Sequence, residues 1–188
     1  MNSMSELKNQ FESQTFSNDY QLVNGVVMHH ANPANFHVPP EVIKRHIQPG
    51  QFVELRIDSP RFSVHQEDAQ GCSCPSCNGE MTKPILRHEH PASILRLPEQ
   101  RTPSRGWGED FWVRVTERSG TYLGGIADNP LVESRLHGLV EGGDVYFHED
   151  HILAVHDIHR GDLVAGMDVA DLKELAEWVG QMRRESED

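Results

Sequence analysis

The residues best equipped for chemistry sit in one short stretch. Cys72-Ser73-Cys74-Pro75-Ser76-Cys77-Asn78-Gly79 contains all three cysteines of the chain. Pro75 presets its own φ and Gly79 accepts a positive φ, so the segment reads as a tight turn that aims its sulfurs at one point. Tetrahedral zinc binding requires that arrangement. Cys74 and Cys77 form a Cys-x2-Cys knuckle, and Cys72 adds a third thiolate. The fourth ligand of a closed site is expected from His88 or His90, in Arg87-His88-Glu89-His90, whose imidazoles project to the same side of an extended segment. Either one completes a Cys3His site. Alternatively both bind and Cys72 is left free, and His65 is a third option upstream. The expected cofactor is one structural Zn2+ per chain, because a closed Cys3His site keeps no position for water or substrate. If only three of these residues bind, an open position restores catalysis.

Two other readings of the stretch compete with zinc. One is a surface loop with incidental thiols. The other is a redox pair, Cys74 and Cys77, since Cys-Pro-Ser-Cys resembles the dithiol of thioredoxin-like proteins. That chemistry wants the first thiol at a helix N-terminus after a strand. Asn78-Gly79 breaks a helix and counts against it.

A second group of ligating side chains lies downstream: His148, His151, His156 and His159. With Glu149-Asp150 as a two-residue hairpin turn, His148 and His151 face each other across two strands, their Cβ atoms roughly 5 Å apart. His156 then lies on the opposite face from His151, and His159 shares its parity several residues away, so no one metal gathers all four. The plain reading is that they are half-exposed strand residues. His29, His30, Asn32 and His37 form another polar group after a strand. If His29 or His30 joined His148 and His151, the result would be the three-ligand centre of a metal-dependent hydrolase. Arg96, Arg101 and Arg105 beside Trp107 could clamp a carboxylate or phosphate, or could be solvated while the tryptophan anchors its loop. The P-loop, dinucleotide, zincin and serine-elbow signatures are all missing from the sequence.

The elements that must position these residues are mostly strands. Met4, Leu7 and Phe11 recur at helical spacing, so residues 1–19 form an arm or a short helix. Tyr20 to His30 reads as strand with a turn at Asn24-Gly25, and Pro39-Pro40 opens a short helix from Glu41 to Ile47. Gln51 to Asp58 alternates as a strand should. Residues 66–91 are an irregular insertion, Ala92 to Leu97 a further strand, and 98–109 a loop. Phe111 to Thr116, Thr121 to Ala127, Val145 to His148 and His151 to Ile158 are expected strands in hairpin order, with a helical turn in Leu131 to Leu139. Asp168 caps a final helix whose stripe of Leu172, Leu175, Ala176, Val179 and Met182 is expected to face the core. The fold class is α+β: a curved antiparallel sheet or partly closed β-barrel with a C-terminal amphipathic helix. Residues 20–188 are read as one domain with the metal loop inserted.

Phe111-Trp112-Val113-x-Val115, Gly124 or Gly125, Asn129-Pro130, Leu139, Gly143-Asp144-x-x-x-Phe147 and Ile152 resemble a small β-rich bacterial domain family of unknown function. The resemblance spans residues 111–152 and implies a curled sheet; it carries no activity. The histidines and the Cys-rich insertion depart from that pattern.

With 188 residues the chain can bury roughly 70% of its unfolded surface, so zinc would staple a loop and not create the core. A net charge of -12 argues against a broad grip on nucleic acid or anionic membrane. The N-terminus has no signal-peptide pattern and the chain no long apolar run, so the expected setting is cytoplasmic, where thiols stay reduced. The function these observations favour is a binding or regulatory module with a protein or small-molecule partner.

Overall fold

The computed structural model describes residues 3–33, 36–59 and 108–185. The expected zinc ligands Cys72, Cys74, Cys77, His88 and His90 lie outside the described residues. So do His65, Arg96, Arg101, Arg105, Trp107 and the expected strand from Ala92 to Leu97.

Alternation builds the sheet. In β2 (Phe52–Asp58), Val53, Leu55 and Ile57 are fully buried while Phe52, Glu54 and Arg56 point outward. β3 (Glu109–Ser119) pairs antiparallel with β2 and buries Phe111, Val113 and Val115. β4 (Tyr122–Ala127) returns along β3, and β5 (Asp144–His148) along β4. The register of β3 against β4 shifts between Val115 and Glu117. That β-bulge lies opposite Gly124 and Gly125. A Cβ on Gly125 would fall 2.4 Å from Val113 Cγ1 and 2.7 Å from the Arg114 carbonyl oxygen, so the close approach requires glycine.

After β5 the chain crosses over and β6 (Ala154–Val155) pairs with β2, Val53 opposite Val155. This nearly closes an antiparallel barrel. β1 (Gln21–Leu22) pairs with the far end of β2, Gln21 opposite Asp58. Together β1 and β6 use the edge of β2 that β3 leaves free. Among the described residues no strand pairs with the outer edge of β5. Instead the side chain of Gln14, just after α1 (Ser3–Ser13), donates from Nε2 to the Tyr146 carbonyl (3.0 Å) and accepts the Tyr146 N–H (2.8 Å). One amide side chain thus imitates a neighbouring strand and blunts the edge. The expected N-terminal helix is present as α1, with Leu7 buried against the barrel.

Several expected elements differ in the structure. Residues 20–30 are not one strand: only β1 is extended, and Gly25–Ala31 is helix α2. Asn24 is its N-cap, its Oδ1 accepting the Val27 N–H at 3.0 Å, so Asn24-Gly25 starts a helix where a hairpin turn was expected. Glu149–His151 is a 3-10 turn, and the following strand leaves β5 for β2, so His148 and His151 are not a cross-strand pair. The expected helix from Glu41 to Ile47 is α3 (Glu41–Lys44), shorter but with Val42 and Ile47 in the core. The turn in Leu131 to Leu139 is α4 (Ser134–His137), ended by Gly138 at φ 83°, and α5 (Arg160–Ala165) precedes the last helix.

α6 (Val169–Glu185) is the expected final helix, with Asp168 Oδ1 accepting the Asp171 N–H at 2.9 Å. Its stripe does not enter the core. No described side chain of α6 is buried, and Leu172 is 40% exposed. The strands already fill the barrel interior, so the helix is tied instead to the end of α3. Arg45 pairs with Asp171 and Glu174, and His46 Nε2 lies 2.8 Å from Asp171.

Candidate functional site

The nearly closed barrel leaves a seam where α1, β1 and the 149–151 turn meet. A cavity of about 300 Å³ lies there. Phe11, Phe16 and Leu22 give it apolar wall, and Gln14, Tyr20 and His151 give it polar groups. Mixed lining of this kind, at the small end of the usual size range, suits a small ligand with one apolar and one polar end.

His151 is the base of the cavity. It is 9% exposed, its ring 5.3 Å from that of Phe11. Its Nδ1 lies 3.1 Å from the His148 carbonyl oxygen. A carbonyl can only accept, so Nδ1 carries the proton. Burial lowers the pKa of the ring, against the upward pull of that hydrogen bond. The imidazole is therefore neutral near pH 7 with Nε2 left as an acceptor. Tyr20 is 2% exposed, its ring edge-on to His137 at 5.2 Å. Burial, reinforced by Glu133, Asp58 and Glu109, pushes its phenol far above the ordinary range, so it stays protonated.

Beyond Tyr20 lies a buried polar network that the linear pattern did not reveal. His137 Nδ1 accepts the Leu139 N–H at 3.0 Å, so its Nε2–H donates to Glu109 Oε1 at 2.8 Å. Glu109 also accepts the backbone N–H groups of Val132 (2.7 Å) and Glu133 (3.0 Å). Both nitrogens of His137 are thus engaged, and the pair fixes α4 to the start of β3. Arg118 has the same role at the other end: it donates to the Lys44 carbonyl and pairs with Glu149, each at 2.6 Å.

The chain matches no protein-family model, no curated protein and no solved structure.

α2 does pack beside the 149–151 turn, so the two histidine groups approach. They do not converge: among the described residues no three His, Cys, Asp or Glu side chains are grouped to hold a metal ion. Local backbone bonds account for much of this. His29 Nδ1 donates to the Phe36 carbonyl (2.6 Å), His148 Nδ1 accepts the Asp150 N–H (3.2 Å), and His151 is held by His148. The His29 ring lies 6.1 Å from that of His30 and 6.3 Å from that of His37. His159 Nε2 accepts the Phe52 N–H at 3.0 Å, and His156 Nδ1 the Ile158 N–H at 3.3 Å. His29, His30, His148 and His151 are therefore not assembled as a hydrolytic metal centre.

Proposed function

We propose that this chain is a binding module that takes a small, partly apolar ligand in the seam cavity, with a structural zinc held by the cysteine-rich loop. The cavity carries the first half of the reading. Phe11, Phe16 and Leu22 would cover the apolar part of a ligand, and His151 Nε2 would accept a hydrogen bond from its polar end. Two supports of this cavity are already in place, the Gln14 clamp on Tyr146 and the His148 carbonyl behind His151. The zinc half rests on the spacing of Cys72, Cys74 and Cys77 with His88 or His90.

The cavity reading is tested by a fragment screen in two-dimensional NMR, with Leu22→Trp as a cavity-filling control. Shifts at Phe11, Leu22 and His151 that vanish in a folded Leu22→Trp support it. Fragments that bind elsewhere, or equally in that variant, overturn it. The zinc reading is tested by the metal content of protein purified without added metal or chelator, with a thiol count. About one zinc per chain and three protected thiols support it; no metal and three reactive thiols remove it.

A further inference from the structure

On the outside of the barrel, away from the seam, strand register sets one carboxylate beside a cluster of three aromatic rings. Strand register brings them together: Glu54 on β2 pairs with Trp112 on β3, and Ala154 on β6 stands on its other side. Ala154 contributes only a methyl group, so nothing bulky shields Glu54 from β6. One step along, the His156 N–H donates to the Phe52 carbonyl at 3.0 Å. The His156 ring stands 5.1 Å from Trp112 at 63° and 6.4 Å from Phe52 at 64°. Two aromatic walls therefore meet the imidazole edge-on at a steep tilt. All four residues are half-buried.

Glu54 is the odd member. Its charged neighbours on this face are paired: Arg56 with Asp110 at 2.9 Å and Arg114 with Asp128 at 3.9 Å. Among the described residues no hydrogen bond or ion pair reaches the Glu54 carboxylate. Burial, then the nearby Asp110 charge, raises its pKa, as expected of a desolvated carboxylate without a cation. A half-buried anion beside aromatic faces is the environment that attracts an ammonium group, through the carboxylate and through cation–π contact. The chain's net charge of -12 favours a partner of positive charge.

We infer that Phe52, Glu54, Trp112 and His156 form a recognition site for a lysine side chain presented by a basic partner protein. The lysine stem would lie on Phe52 and Trp112, and its ammonium would reach Glu54. This site is independent of the seam cavity, and either can fail without the other.

The test is a two-dimensional NMR titration of the full chain with Nα-acetyl-lysine amide, against the uncharged Nα-acetyl-norleucine amide and choline. Lysine-dependent shifts at Phe52, Glu54, Trp112 and His156, with none from norleucine, support the site. Glu54→Gln and Trp112→Leu should each weaken lysine binding by about fivefold while leaving the rest of the spectrum in place. Equal shifts from norleucine, lysine shifts elsewhere on the barrel, or unaltered binding in Glu54→Gln overturn it. Binding of choline without lysine also overturns it, since the site would then serve a quaternary ammonium group.

Discussion

Replacing Glu109 by alanine probes how α4 is held to the barrel. The Glu109 side chain is 13% exposed and that of His137 is 0% exposed. Three donors converge on Glu109: the N–H groups of Val132 and Glu133 and His137 Nε2–H. Val132 is 41% exposed, so water can replace the carboxylate there. The Glu133 N–H and His137 Nε2–H would be left without an acceptor, at about 1–3 kcal/mol each, so Glu109→Ala should cost on the order of 4 kcal/mol. That is a large share of the ~5–15 kcal/mol that stabilises a typical domain, yet short of unfolding most of them. Glu109→Gln keeps one accepting oxygen and loses the charge, and should cost about 2 kcal/mol. The loss should also depend on pH. Burial alone would raise the Glu109 pKa, but the His137 hydrogen bond and the two backbone N–H groups outweigh it and hold the carboxyl below its usual range. A depressed folded-state pKa gives stability that is present above the unfolded value, about 4.3, and lost as pH falls through the folded value. The difference between wild type and Glu109→Gln should therefore shrink on going from pH 7 to about pH 3. Urea unfolding followed by tryptophan fluorescence, with m unchanged, reads both effects. A cost below about 1 kcal/mol for Glu109→Ala would mean that the network contributes little net stability. A Glu109→Gln penalty independent of pH would refute the assigned direction of the shift.

Two further changes test packing and burial. Gly125→Ala drives a Cβ into Val113 and the Arg114 backbone and should cost about 2–3 kcal/mol. Gly124→Ala meets only the exposed, movable Glu117 side chain and should cost less than about 1 kcal/mol; equal losses in urea unfolding would contradict this account of the bulge. Lys44 is 2% exposed, and among the described residues no hydrogen bond or ion pair reaches its ammonium. Burial pushes its pKa down, against the pull of Asp150, Glu149 and Glu41. Lys44→Met should stabilise the protein by about 1 kcal/mol at pH 7, and the gain should fade as pH rises through the lowered native pKa toward the unfolded lysine value, about 10.4. A methionine variant less stable at both pH values would show that the ammonium is better solvated than its burial implies.

The parts of the fold legible from the sequence are those with local causes. The alternation of Val53, Leu55 and Ile57, and of Phe111, Val113 and Val115, marks β2 and β3 because each strand buries one face. Other residues marked by the sequence sit at structural positions: Gly124 and Gly125 at the bulge, Gly143-Asp144 entering β5, Phe147 and Ile152 fully buried. Local signals misled where two mechanisms share them. Val26-Val27 after Asn24-Gly25 looks like the return strand of a hairpin, but the Asn24 cap makes it a helix. The site residues were hidden for another reason. Glu109 meets His137 across 28 positions, and Trp112 meets Glu54 only through strand register. No window of sequence contains such pairs.

The seam has a consequence for how the chain reaches its native state. Gln14 meets Tyr146 across 132 positions, and β2 meets β6 across a separation of about 100. Nothing closes the barrel until residue 155 is available to it. During synthesis from the N-terminus, α1 and β2 must therefore wait, their apolar faces open, while the middle of the chain emerges. The contacts that define the cavity are among the last to form, and topology of this kind folds slowly. The outer edge of β5, which among the described residues pairs with no strand, is then covered only once α1 docks and Gln14 reaches the Tyr146 backbone.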